Sequence, residues 1–191
     1  MKIFSVKRLM VASCLIGLLS SCADNIREQS ADEIAGRIAR AAKPDSQGFL
    51  WRAPDLYSSQ YRTLFFGYDT LKYHLLAPEN QSNGFRLLVQ ANYGGAMRHY
   101  ELAKFADQST RALAPQQHFA ERCQLFNSLI SSCLYQDQFA LALSASDLQR
   151  ARLTGLNVVL QSHSQQYEAI DLPAAYIEGF LKAVGQPSQH P

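Results

Sequence analysis

The residues able to do chemistry in this chain are few and far apart. Its five histidines stand at positions 74, 99, 118, 163 and 190, and no two lie within five positions of each other. Metal sites legible in sequence place their ligands at short, fixed spacings, and no such pattern is present. There is no Gly-x-Ser-x-Gly elbow, no His-Glu-x-x-His, no phosphate-binding glycine loop and no Cys-x-x-Cys-His for covalent haem. Acid–base chemistry would therefore need a site assembled from separated groups, of which His163, Asp137, Glu101 and His99 are the candidates. The sequence itself assigns no catalytic residue, no cofactor and no metal. A non-catalytic module is the first expectation, and a small hydrolase or transferase is the alternative.

The chain opens with Lys2, Lys7 and Arg8, continues through an apolar run over 9–19 and reaches Leu19-Ser20-Ser21-Cys22. A cationic start, an apolar stretch and small residues in that order are the layout of a secretory signal peptide. The apolar run of about eleven residues falls well short of the roughly 20 that a spanning helix requires. Leu-Ser-Ser-Cys resembles the lipobox of bacterial lipoproteins. That resemblance implies a diacylglyceryl group on the Cys22 thiol, cleavage before Cys22, and acylation of the amine so exposed. Position 23 is Ala rather than Asp, which by the same resemblance implies the periplasmic face of the outer membrane rather than the inner membrane. Two or more acyl chains hold a protein to a bilayer stably where one holds it marginally.

Removal of residues 1–21 changes the charge balance. Three of the 18 basic residues and none of the 16 acidic ones lie there, so the remainder is nearly neutral and has no basic cluster with which to bind nucleic acid. About 170 residues suffice for one domain with a real core. Of the four cysteines, Cys14 leaves with the leader and Cys22 carries lipid, leaving Cys123 and Cys133 ten positions apart. That spacing is too wide for a redox Cys-x-x-Cys. In an oxidising compartment the two are a natural disulfide, closing a loop of about ten residues and stabilising by about 3 kcal/mol, with two separate buried thiols as the alternative.

The elements that position these residues follow from local pattern. Residues 22–29 form a polar tether, and a single domain occupies 30–186 before a short tail at 187–191. Ser30-Ala-Asp-Glu33 has capping-box spacing and predicts a helix to Ala42, ended by Lys43-Pro44. The aromatics of 49–73 are expected to fill an antiparallel sheet, with Tyr61, Thr63 and Phe65 alternating as a strand. Gly94-Gly95 predicts a tight hairpin joining 85–93 to 96–105, with Tyr93 opposite Ala96 and His99 beside Glu101 on the wet face. A second strand pair over 119–126 and 133–144 carries the two cysteines, with Asp137 on its inner side at an edge or bend.

Further on, Ser146-Asp-Leu-Gln149 predicts a helix stopped by Gly155, and 156–160 with 167–171 a hairpin turning at His163. Pro173 opens a last helix with Tyr176, Ile177, Phe180, Leu181 and Val184 on one stripe. The expected fold is α+β, an antiparallel sheet of about six strands with N-terminal, internal and C-terminal helices. The expected role is that of a lipid-anchored envelope module that contacts a neighbouring envelope protein or ligand through a strand edge or aromatic patch.

Overall fold

The computed structural model describes residues 25–42, 48–63, 67–79, 84–126 and 130–185, and of residues 60–63, 67–68, 121–126 and 130–132 the backbone alone. The leader, Cys22, Phe65, Phe66, the loop at 80–83 and the tail at 187–191 fall outside the described residues. Within them the protein is α+β with antiparallel sheets, comprising eleven strands and three α-helices. The strand count exceeds the six expected, because short strands pair where no alternation marks them.

The larger sheet has the order β1-β2-β4-β5-β9-β8. Its strands are β1 (Ala39–Ala42), β2 (Phe49–Arg52), β4 (Gly67–Pro78), β5 (Phe85–Gly95), β8 (Ala114–Phe126) and β9 (Ile130–Leu143). β3 (Leu56–Thr63) continues β2 along the same edge of β4. The smaller sheet is β11-β10-β6-β7, from β11 (Tyr167–Leu172), β10 (Leu156–Ser162), β6 (Tyr100–Phe105) and β7 (Thr110–Ala112). Alternation on the central strands buries Leu71, Tyr73, Leu75, Leu87, Val89, Phe139 and Leu141 on one face. The smaller sheet turns Val158, Leu160, Ile170 and Leu172 to the same core, where Tyr100 packs on Phe139 with centroids 5.0 Å apart.

Helices close one end of this core. α1 (Ala31–Gly36) and α2 (Ala145–Thr154) both pack on α3 (Ala174–Gly185), whose Tyr176, Ile177, Phe180 and Val184 are buried. Phe180 meets Phe85 edge-on at 6.1 Å. The break between β2 and β3 falls at Pro54, which cannot donate a ladder hydrogen bond. There the Tyr176 hydroxyl donates to the Pro54 carbonyl at 2.7 Å and accepts from the Leu75 N–H at 3.4 Å. A side chain on α3 thus satisfies backbone groups that the kinked edge leaves over.

Several expectations are corrected. The first helix ends at Gly36, and 39–42 is strand, because pairing with β2 outweighs the helical stripe of alanines. Ser30 and Glu33 do form the capping box. Gly94-Gly95 is no hairpin turn: Gly94 and Gly95 pair with Leu134 and Cys133 on β9, and the chain then leaves for the other sheet. Tyr93 and Ala96 are not partners. Asp137 sits at neither an edge nor a bend, since β9 is flanked by β5 and β8. The α2 cap is Ser144 with Asp147, two residues earlier than expected, while Gly155 ends the helix at φ +82° as expected. Of the aromatics in 49–73, Tyr73 is core and Trp51 half-buried, but Phe49 and Tyr57 are exposed.

Candidate functional site

The end of the sandwich opposite the helices is polar. Tyr93 lies eight residues along β5 from Phe85, about 26 Å at the rise of an extended strand. Beyond it, Ala96 to His99 carry the chain between sheets and place Arg98 in the core with 2% of its surface exposed. Its guanidinium donates to Asp69 on β4 and to Glu168 on β11, both buried, so one cation ties the two sheets together. It also donates to the Tyr100 hydroxyl at 3.1 Å and lies 4.3 Å from the Tyr93 ring centroid. The Tyr100 hydroxyl in turn donates to Glu168 at 2.5 Å. Burial followed by the Glu168 charge pushes the Tyr100 phenol far above its ordinary range. Among the described residues, Nε of Arg98 has no hydrogen-bond partner.

A second network adjoins the first. Tyr93 accepts from the Arg98 N–H at 3.2 Å and donates to Asp137 at 2.6 Å. Burial, and then this carboxylate, raise the Tyr93 phenol. The other oxygen of Asp137 meets Nδ1 of His118, its register partner on β8. Asp137 is 7% exposed, whereas the His118 side chain is 39% exposed, so the pair reaches from core to surface. Four rings stack along the same path: Tyr93 on Tyr135 at 5.4 Å, Tyr135 on His118 at 5.8 Å, and His118 on His99 at 6.1 Å. His99 holds a left-handed backbone, φ +49°, which a non-glycine residue adopts at some cost.

The four dispersed candidates therefore share a neighbourhood. His99 accepts the His163 N–H through its carbonyl at 2.9 Å, and His163 Nδ1 lies 3.1 Å from Glu101 on an exposed surface. Asp137 joins them through His118, whose ring stacks on that of His99. His118, Arg98, Tyr93, Asp69 and Glu168 were not singled out by sequence. Chemically, a carboxylate on Nδ1 of His118 orients the imidazole for acid–base work at its other ring nitrogen. Among the described residues no serine, threonine or cysteine hydrogen-bonds His118, and no three metal-ligating groups converge.

Two other charged clusters are structural. Asp55 gathers Arg52, Lys72 and His74 on the outer face of the large sheet. Burial followed by Arg52 lowers His74 to about 4. Asp147 accepts two hydrogen bonds from Arg111, at 2.6 and 3.0 Å, and one from Arg150 while serving as the α2 cap. The Arg111 contact, foremost among these, holds the Asp147 carboxyl below the usual range.

The β8 edge itself is open. Among the described residues β8 pairs with β9 alone, and every residue from 114 to 120 is exposed, Phe119 included. In the same hairpin the register sets Cys123 opposite Cys133. No helix among the described residues is long and apolar enough to cross a membrane. Comparison with protein-family models, curated proteins and solved structures finds no match to this chain.

Proposed function

We propose that this protein is a lipid-anchored, non-catalytic module of the cell envelope that captures an extended segment of a neighbouring envelope protein along β8. The observation that carries the reading is the thirteen-residue edge strand itself, solvent-exposed over 114–120 and unpaired on its outer side among the described residues. Natural proteins usually blunt such edges, and strand addition is a recurring mode of peptide capture. Lipidation at Cys22 rests on the Leu19-Ser20-Ser21-Cys22 pattern, and the periplasmic face of the outer membrane on Ala23 in place of Asp. A Cys123–Cys133 bridge, supported by their facing positions, would staple the hairpin that bears the edge.

A photo-crosslinking residue at Gln117 should capture a partner in cells, and the same residue at Val159 on the smaller sheet should not. Equal capture from both positions, or none from Gln117, removes the strand-capture reading. Cys22→Ser should release the protein to the soluble fraction, and unchanged membrane retention would sink the anchor. Non-reducing peptide mapping that found both thiols free would remove the bridge.

A second reading, a small envelope hydrolase or transferase, has one observation on its side: the Asp137–His118 couple beneath an exposed imidazole. Hydrolysis of model esters abolished by His118→Ala would favour it over the first.

A further inference from the structure

We infer that the helical end of the domain rests on the bilayer, with Leu153 at the end of α2 entering the headgroup region, so that the polar end and β8 point away from the membrane. The inference rests on Cys22 being the lipid anchor.

It begins with where the tether stops. Residues Ile26–Glu28 form a 3-10 turn, and Arg27 donates to Asp171 at 3.0 Å and to the Tyr73 hydroxyl at 2.5 Å. Tyr73 closes the triangle by donating to the Asp171 carbonyl at 3.1 Å. The chain is therefore fixed to the domain five residues after Cys22, and five residues span at most about 18 Å. A bilayer-embedded Cys22 thus keeps Asp171 within one short tether of the headgroups.

Asp171 is beside the end of α2. Its neighbour Leu172 packs so closely on Gly155 that a Cβ added there would lie 2.9 Å from the Leu172 carbonyl oxygen. Gly155 directly follows the last turn of α2, in which Leu153 is 76% exposed, the highest value among the exposed large hydrophobics. Arg152 beside it is exposed and makes no ion pair among the described residues. An apolar side chain next to a free cation suits the boundary between acyl chains and phosphates. Phe119, on the β8 edge, pairs with Gln136, seven residues along β9 from the helical end, about 23 Å away.

The full lipidated protein, reconstituted in phosphatidylethanolamine–phosphatidylglycerol vesicles with and without brominated acyl chains, tests this. Leu153→Trp and Phe119→Trp report on the two ends against the native Trp51 background. The Leu153→Trp signal should fall at least two-fold with brominated lipid, and the Phe119→Trp signal should not change. No quenching at Leu153 in vesicle-bound protein, or quenching at both positions, overturns the docking while leaving the anchor standing. Failure of the protein to float with the vesicles overturns the anchor and this inference together.

Discussion

Asp137 and His118 face each other across the β8–β9 ladder only because β8 carries an extra residue between Ala120 and Arg122. Continued without that bulge, the register that sets Cys123 opposite Cys133 would bring His118 against Gln138. The bulge shifts the strand by one position and turns the imidazole toward the buried carboxylate, a recurring use of such insertions.

Replacing Asp137 by Ala should destabilise the fold by about 2 kcal/mol, because the buried Tyr93 hydroxyl loses its acceptor. Tyr93→Phe removes the same bond from its other side. Urea denaturation of the single and double variants should therefore give less than additive losses. Strict additivity would show that the bond contributes nothing.

Arg98→Met should be far more damaging, about 3–5 kcal/mol, since Asp69 and Glu168 would lose the guanidinium that both accept from in the core. Adding Asp69→Leu and Glu168→Leu to that variant should recover much of the loss. Chemical denaturation reads both, and a triple variant no more stable than Arg98→Met would contradict the account.

His74 makes stability depend on pH. Its folded-state value, about 4, lies below the ordinary 6.5, so between those values the unfolded chain binds a proton that the folded chain does not. Stability from this group is whole above pH 6.5 and is lost as pH falls toward 4, by about 3 kcal/mol in all. Melting temperatures across that window should drop for the native protein and flatten for His74→Gln. Parallel curves would assign the dependence to other groups.

Gly179→Ala tests the seat of α1 on α3. A Cβ there would lie 2.6 Å from the Ala31 carbonyl and 3.0 Å from the Ile34 side chain. The helices must part, at a cost of about 1–3 kcal/mol, with faster proteolysis near residue 30. An unchanged melting temperature would mean that α1 moves freely.

What was legible in the sequence was whatever local chemistry decides. Pro173 and the stripe from Tyr176 to Val184 sufficed for α3, and the turn at His163 sufficed for β10 and β11. The Ser30–Glu33 box marked where α1 begins, but not where it ends. Phe85 to Tyr93 had the right buried face, because alternation does not depend on the partner strand. The partner did depend on distant residues: Gly94 and Gly95 look like a turn, yet they are ladder positions against β9. Arg98 gave no signal, since a lone arginine after two glycines reads as solvated loop until Asp69 and Glu168 arrive from other strands. Asp137 was noticed for its inward place, and its partner His118 was hidden by the bulge.

The interleaving of the two sheets also sets when the protein can fold. β6 and β7 enter the smaller sheet, the chain leaves to build β8, β9 and α2, and only then does β10 return to pair with β6, with β11 on its other side. Until residues 156–185 exist, the layer opposite Leu87, Val89 and Leu141 consists of β6 and β7 without β10 and β11, and Phe85 lacks Phe180. A growing chain therefore stays open until the last helix has been made, with the slow, non-local closure that such pairing entails.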